Sequence, residues 1–217
     1  MLLAAREEGG GGGMDDKQLR YEAMTIFLAG HKTTAAGLAW SFYLLGRHPH
    51  IYAKLREQVK SALGGRAPTF ADLPKLGYAM QVFKEAMRLY PPAYAMGRRT
   101  TRDVTIGGVR IPASTEVIVN TYGMHDPKLF PDPERFDPDR FEPGAERQLP
   151  KGAYLPFGGG SRVCIGNHFA LMEGQRILAD LAQRVELASV SPRPIDADPM
   201  VTLRPLGPVA MTVRRLS

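Results

Sequence analysis

Cys164 is the only cysteine in the 217-residue sequence, and it lies between a glycine-rich stretch and a helical pattern that starts near Asn167. The free N–H groups and positive dipole end of a helix favour the thiolate form that a soft metal needs. One cysteine excludes an internal disulfide and a zinc site built from several thiolates. A metal here must be held mainly by donors outside the protein, and haem fits because its porphyrin supplies them. The alternative is a small, buried, unreactive cysteine.

Two other sets of residues have a spacing that permits chemistry, although neither identifies a function alone. Glu85 and Arg88 lie three residues apart in a helical pattern, so they share one face and can form an ion pair. Most such pairs are solvated surface contacts. Thr33 follows Gly30 and Lys32 in a long helical pattern, where a threonine commonly bonds to a backbone carbonyl of its own helix. A function can be assigned to either set only from the sequence that surrounds it.

The charge distribution favours a soluble protein that does not bind nucleic acid. Lys and Arg total 28 against 22 Asp and Glu, which gives a net charge of +6 and a pI near 9.5. The basic residues are dispersed, so they indicate a mildly basic surface that can steer an acidic protein partner. No apolar run is long enough to span a bilayer, and residues 1–8 do not form a signal peptide. The sequence therefore predicts a cytoplasmic protein with no membrane segment in this chain.

The first half of the sequence is helical in pattern. Residues 1–13 form a glycine-rich, flexible lead-in, and the remainder, 14–217, is predicted to be one partial domain. A long helix is expected over 14–46, roughly 45 Å in length and broken by Gly30. Pro49 starts a second helix that ends at Gly64-Gly65, and a third runs from about 76 to 89, where Pro91-Pro92 stops it.

In the second half of the sequence, the spacing of the apolar residues changes from the helical period to every second residue, which is typical of β-strands. The segments 104–106 and 109–111 flank a Gly107-Gly108 turn and predict a hairpin, followed by a strand at 116–119. Residues 126–156 have no sustained period and predict a long irregular segment, a feature that is usually functional in compact domains. A final helix over 167–186 and a C-terminal strand pair containing Val209, Met211 and Val213 complete the chain.

The stretch 157–166 around the cysteine resembles the cytochrome P450 family. Phe157, Gly160, Arg162, Cys164 and Gly166 match the family's pattern Phe-x-x-Gly-x-Arg-x-Cys-x-Gly position for position. The resemblance implies a Cys164 thiolate on haem iron and Arg162 on a haem propionate. It also implies that Phe157 packs beside the ligand and that Gly166 lets the next helix approach the ring.

The pair Glu85 and Arg88 matches the family's Glu-x-x-Arg motif, which precedes a Pro-Pro-like exit as it does here. The family adds a third partner, an arginine, and two residues compete for this role. Arg135 lies in the literal Pro-Glu-Arg-Phe sequence, whereas Arg140 lies in Pro-Asp-Arg-Phe. The resemblance favours Arg140, because the earlier stretch supplies the family's lead-in to the motif.

Two further positions resemble residues that contact haem in the family. Arg98, just before the predicted hairpin, resembles the second propionate arginine. His125 precedes Asp126-Pro127, where the family often reads His-Arg-Asp-Pro.

Residues 29–34 resemble the family's oxygen-binding segment, in which a distorted helix opens a groove for O₂ and a threonine helps to deliver protons. The resemblance implies these roles for Gly30 and Thr33. Lys32 stands where the family has Asp or Glu, and its ammonium offers donors only, so it cannot shuttle protons as a carboxylate does. Haem binding is expected to survive this change, and O₂ activation is expected to be affected.

The fold class that the resemblance implies is mainly α with small β-sheets, the C-terminal portion of the cytochrome P450 fold from the oxygen-binding helix to the final helix. The implied function is a truncated haem-thiolate monooxygenase that binds haem b and inserts one oxygen atom from O₂ into a small apolar substrate. Its electrons would come from an acidic ferredoxin, flavodoxin or reductase. Two alternatives stay open: a haem-binding fragment or pseudoenzyme without this activity, and a peroxide-dependent haem enzyme.

Overall fold

The computed structural model describes residues 13–124 and 127–216, so most of the glycine-rich lead-in lies outside the described residues. The helices are α1 (Asp16–Arg47), α2 (Pro49–Leu63), α3 (Gly77–Leu89), α4 (Pro143–Glu146) and α5 (Asn167–Arg184). Short 3-10 helices cover Phe70–Lys75, Pro138–Phe141 and Gly160–Arg162. The strands are β1 (Ala95–Arg99), β2 (Val104–Ile106), β3 (Val109–Ile111), β4 (Glu116–Asn120), β5 (Val185–Ser189), β6 (Ala197–Pro199), β7 (Leu203–Pro205) and β8 (Met211–Arg215). The described chain is mainly α with small sheets, as predicted.

The strands form antiparallel pairs in the order β1–β4, β2–β3, β5–β8 and β6–β7. The hairpin β2–β3 turns at Gly107 and Gly108, both in the left-handed region, which a type I′ turn requires. The strand predicted at the C-terminus is β8, and its partner is β5, which begins directly after α5. The sequence pattern did not reveal β1, β5, β6 or β7, whereas β2 and β3, with only three residues each, were recognised by the two glycines between them.

Helix α1 is continuous from Asp16 to Arg47, so the break expected at Gly30 is absent. One glycine inside a helix costs only about 1 kcal/mol relative to alanine, which is too little to interrupt an otherwise intact hydrogen-bond ladder. The carboxylate of Asp15 caps the first turn by accepting a hydrogen bond from Gln18 N at 2.6 Å. All the buried residues of α1 lie from Thr34 onward, whereas residues 20–32 are exposed. Only the second half of α1 is therefore packed against other described elements.

The ring of Phe83, on α3, lies between α1 and α5. A Cβ atom placed on Gly37 of α1 would lie 3.1 Å from Phe83 Cε2, and one on Gly174 of α5 would collide with the same ring. Phe83 is 1% exposed. The two glycines therefore provide the space in which three helices pack around one aromatic side chain.

The C-terminal strands are attached to α1 by its side chains. Three of these bond to backbone atoms of the C-terminal region: Trp40 Nε1 donates to Leu203 O at 3.0 Å, Tyr43 Oη accepts from Ile195 N at 3.0 Å, and Arg47 Nη1 donates to Ser191 O at 3.2 Å. Since Trp40 and Tyr43 are also core residues, the second half of α1 organises both the helices and the strands. No helix in the described part of the chain has the length and apolar character needed to cross a bilayer.

We expect Gly174→Ala to lower the free energy of unfolding by about 1–3 kcal/mol, the usual cost of overpacking a core, even though alanine is the better helix former. Urea denaturation of the variant measures this change. The matched control is Gly77→Ala at the start of α3, where a Cβ meets no atom within 4 Å. Equal stabilities of the two variants would show that Phe83 does not need the space at Gly174.

The stability of the fold is expected to decrease in mild acid because of His48, which lies between α1 and α2. Its ring packs 5.2 Å from that of Phe136, and its Nδ1 lies 2.8 Å from Leu44 O. Burial lowers the pKa of His48 below its ordinary 6.5, an effect to which the charges of His50 and Arg47 add. The unfolded chain therefore takes up a proton at higher pH than the folded chain, so stability is present above about pH 6.5 and lost below it.

Urea midpoints measured between pH 7.5 and 5 test this prediction. His48→Gln should flatten the decrease, whereas the control His50→Gln should retain most of it, because burial is the largest cause of the lowered pKa of His48. An unchanged slope in His48→Gln would assign the decrease to other groups.

Candidate haem-thiolate site

The loop that presents Cys164 is held by its own backbone. Cys164 N donates to Phe157 O at 2.9 Å, and Val163 N donates to Gly160 O at 3.2 Å. Gly158 and Gly160 have φ values of 72° and 73°, which only glycine adopts without strain. The loop therefore folds back on itself and exposes the Cys164 side chain immediately before α5.

Gly166, the first residue before α5, keeps the space beside the sulfur free. A Cβ atom at this position would lie 3.9 Å from Cys164 Sγ. A side chain at this position would therefore contact the sulfur. The absence of a side chain is thus consistent with a bulky ligand at Cys164.

Arg162 and Arg98 are both exposed, and the structure places them around this loop. Arg162 is in the loop itself. Arg98 lies on β1 two residues after Met96, so the two side chains point to the same side of the strand. The Met96 sulfur would lie 3.0 Å from a Cβ on Gly158, which shows that this side of β1 packs against the cysteine loop. Arg98 Nη1 donates to the carbonyl of its neighbour Gly97 at 2.8 Å.

Thr33, Lys32 and Gly30 lie on α1 at the end of its exposed half. Thr33 Oγ1 donates to Ala29 O at 2.6 Å, which leaves the hydroxyl oxygen able to accept a hydrogen bond. A Cβ on Gly30 would meet nothing within 4 Å. Among the described residues, no carboxylate forms an ion pair with Lys32.

Glu85 and Arg88 form a buried, two-point ion pair on α3. Arg88 Nε donates to Glu85 Oε2 at 2.7 Å and Arg88 Nη2 donates to Oε1 at 2.8 Å, with side chains 2% and 0% exposed. Arg140 Nε lies 3.5 Å from Glu85 Oε1, and Asp137 N donates to the same oxygen at 3.0 Å. Burial raises the pKa of the Glu85 carboxyl, and the hydrogen bonds from Arg88 oppose that rise.

The ion pair joins α3 to the irregular segment that leads to the cysteine loop. Arg88 Nη2 donates to Pro133 O at 2.8 Å and to Arg135 O at 3.3 Å. Of the two competing arginines, Arg140 brings its side chain to Glu85, whereas Arg135 contributes a backbone carbonyl. Further along the segment, Tyr154 Oη donates to Lys84 O of α3 at 2.9 Å, and burial raises the pKa of this phenol.

Several residues that position the site were missed at the sequence level. Phe83 was recognised only as part of a helix, and Gly174 only as part of the final one. Isolated glycines within helical patterns were the available signal, since they often mark close packing. His125, the remaining candidate, lies outside the described residues.

The comparisons with known proteins agree with this geometry. A family model described as Cytochrome P450 matches residues 1–210. The chain belongs to the cytochrome P450 family. Family membership implies a haem cofactor. The predicted fold class, the C-terminal portion of the cytochrome P450 fold, is confirmed.

Among the curated relatives of this cytochrome P450 chain, cyclooctatin synthase of Streptomyces melanosporofaciens is 44% identical over 211 residues, which are 97% of this chain and 46% of the relative. Cyclooctat-9-en-7-ol 5-monooxygenase of the same organism is 41% identical over 190 residues, 87% of this chain and 41% of the relative. The crystal structure of the cytochrome P450DA heme domain superposes with a TM-score of 0.92 at 30% identity, covering 100% of this chain and 49% of that one. The chain therefore spans about half the length of the proteins it matches.

The donor set on this cytochrome P450 chain fits haem. In the parts of the chain that the structure describes, no three His, Cys, Asp or Glu side chains gather to hold a metal. The exposed Cys164 thiol supplies one ligand, which suits a metal whose other donors belong to a porphyrin. The exposed guanidinium groups of Arg162 and Arg98 are suited to the carboxylates of haem.

We expect Glu85→Ala to reduce the free energy of unfolding by about 3–5 kcal/mol, the usual cost of removing one partner of a buried ion pair. The matched control is Arg110→Ala, which removes the exposed contact with Asp103 and should leave the urea midpoint unchanged. A Glu85→Ala variant as stable as the control would mean that α3 and the segment after Pro133 do not depend on this carboxylate.

Proposed function

We propose that this chain is the haem-thiolate part of a monooxygenase that inserts one oxygen atom from O₂ into an apolar organic substrate. The observation that carries the proposal is the Cys164 loop, which exposes one thiol beside a residue without a side chain. Family membership supports it, as does the name of the relative described as a 5-monooxygenase. Haem b is the proposed cofactor.

In this proposal, Cys164 would ligate the iron as a thiolate, and Arg162 and Arg98 would bind the propionates. Bound haem supplies the O₂ chemistry, and the thiolate favours cleavage of the O–O bond. Phe157 would keep the backbone of the loop in place, because its carbonyl accepts the hydrogen bond from Cys164 N. His125 is proposed to contact the haem by resemblance alone.

Thr33 is proposed to handle the protons that the reaction at a bound haem would consume. Its hydroxyl donates a hydrogen bond to Ala29 O, and this bond fixes the orientation of the side chain. The hydroxyl oxygen can therefore accept a hydrogen bond from a proton donor. Gly30 is proposed to leave room for O₂, since no atom lies near its missing side chain. Lys32 supplies donors only, so the relay needs a second group.

The electrons are proposed to come from an external acidic ferredoxin, flavodoxin or reductase. The net charge of +6 supports this choice of partner. The cytoplasmic location expected from the sequence stays a prediction.

The first experiment is the absorption spectrum of the reduced, carbon-monoxide-bound protein after haem loading. We expect a strongly red-shifted Soret band, because a thiolate donates electron density to the iron, and we expect Cys164→Ala to abolish it. Ser161→Ala, an exposed change in the same loop, is the matched control and should retain the band. A wild-type spectrum of free or histidine-bound haem would contradict the proposal for this chain.

Turnover separates the remaining alternatives. Product formation with a reductase and O₂ supports the monooxygenase. Product formation only with hydrogen peroxide identifies a peroxide-dependent enzyme, and a thiolate spectrum without product from either oxidant identifies a haem-binding pseudoenzyme.

A further inference from the structure

We propose that Met96 is a positioning residue for the cysteine loop, and that its thioether holds Cys164 in a fixed place relative to Arg98. The inference deepens the proposed function and rests on it, because Met96 acts through the loop and not on a substrate. Three features of the structure carry it: the exposure of the loop, the contact between Met96 and Gly158, and the attachment of β1 to the remainder of the fold.

The part of the loop that carries the thiol is exposed. Phe157, at the start of the loop, packs against the hydrophobic core, but all of residues 159–165 are exposed. A Cβ atom placed on Gly160 would meet nothing within 4 Å. The hydrogen bond from Cys164 N to Phe157 O closes the loop on itself and joins it to no other element. The place of the thiol therefore depends on what holds the loop near its start.

Met96 contacts the loop at Gly158, directly after Phe157. A Cβ atom on Gly158 would lie 3.0 Å from Met96 Sδ and 4.0 Å from Met96 Cε, so the end of the methionine occupies the place of the missing side chain. The backbone turns here, with a φ of 72° at Gly158, and the carbonyl of Arg162 lies 3.9 Å from the same point. The flexible, unbranched side chain of methionine suits an irregular gap of this kind. Met96 is therefore placed where it can fix the path of the loop.

The strand that carries Met96 is held independently of the loop. All five residues of β1 pair with β4. Directly before β1, Tyr94 O accepts a hydrogen bond from Thr121 N at 2.9 Å, and Tyr94 Oη donates to Met200 O at 3.0 Å. Arg98 follows Met96 on the same side of the strand, about 7 Å further along it. The positions of Met96 and Arg98 are therefore fixed together.

This contact gives two proposed haem-binding residues a common support. Arg98 and Cys164 are proposed to bind two parts of one rigid group, a carboxylate at its edge and the iron at its centre. Both parts can be bound at once only if the distance between the two side chains is kept. Met96 keeps it, because it joins the strand of Arg98 to the loop of Cys164. Loss of the thioether would free the loop and leave the strand in place, so thiolate ligation would weaken without unfolding of the chain.

The first test is hydrogen exchange of the chain without haem, followed by mass spectrometry of peptides that cover 157–166. We expect Met96→Ala to speed exchange in this loop about five- to thirtyfold, the change in an opening equilibrium that corresponds to a loss of about 1–2 kcal/mol. Met96→Leu should stay close to the wild type, because leucine and methionine have similar volumes. Met24→Ala, which truncates an exposed methionine of α1, is the matched control and should leave the loop unchanged. Exchange in α2 should be the same in all variants.

A double-mutant cycle tests whether Met96 acts through Gly158. Gly158→Ala places a methyl group against the methionine and also strains a left-handed φ, and only the first effect depends on Met96. We therefore expect Gly158→Ala to speed exchange less in the Met96→Ala background than in the wild type. Equal effects in the two backgrounds would overturn the inference. So would an unchanged loop in Met96→Ala, or faster exchange that extends equally to α2.

The spectrum of the haem-loaded protein gives the second readout. We expect the share of the carbon-monoxide complex with the red-shifted Soret band to fall severalfold in Met96→Ala and to recover in Met96→Leu. Full thiolate ligation in Met96→Ala, despite a loosened loop, would overturn the positioning role. The exchange measurement needs no haem, so the two proposals fail separately. A wild-type chain without the band overturns the proposed function, whereas exchange still decides whether Met96 holds the loop.

Discussion

The spacing between α1 and α5 is set by one aromatic ring. Phe83 is buried between Gly37 and Gly174. Gly37 lies on α1, which carries Thr33, and Gly174 lies on α5, which follows Cys164, so these helices position the two groups that would act on a bound haem. A protein interior is as densely packed as an organic crystal, so an added methyl group at this point can be accommodated only if a helix moves. The distance between the two groups therefore depends on packing around a residue of a third helix, α3.

The same helix, α3, also fixes the irregular chain before the cysteine loop. Two residues after Phe83, the Glu85 carboxylate accepts hydrogen bonds from Arg88 and from the backbone N–H of Asp137. The side chain of Arg140 lies close to the same carboxylate. A buried carboxylate tolerates few arrangements of its partners, so it selects one path for a segment with little regular structure. Apolar packing positions the helices, and a charge positions the loop.

The features with strong local signals could be predicted from the sequence. The cysteine loop, the helix after Pro49 and the hairpin at Gly107 depend on proline, glycine and capping residues, which act over a few positions. The choice of Arg140 over Arg135 as the neighbour of Glu85 agrees with the geometry. The pairing of β5 with β8 and the contact of Phe83 with Gly174 could not be predicted, since both join residues that are remote in sequence. The break predicted at Gly30 was wrong, because the small free-energy cost of one glycine in a helix was treated as enough to interrupt α1.

The unequal burial of α1 has a consequence for ligand binding. Its second half is fixed by the core, whereas residues 20–32 are exposed in the described structure. Amide protons in such a segment open with a smaller free energy than those in the core, and the border falls at Thr33. A ligand lying along the exposed half would extend the cooperative unit toward the N-terminus, and part of its binding free energy would be used to order backbone. Hydrogen-exchange protection there would then report occupancy before any reaction occurs.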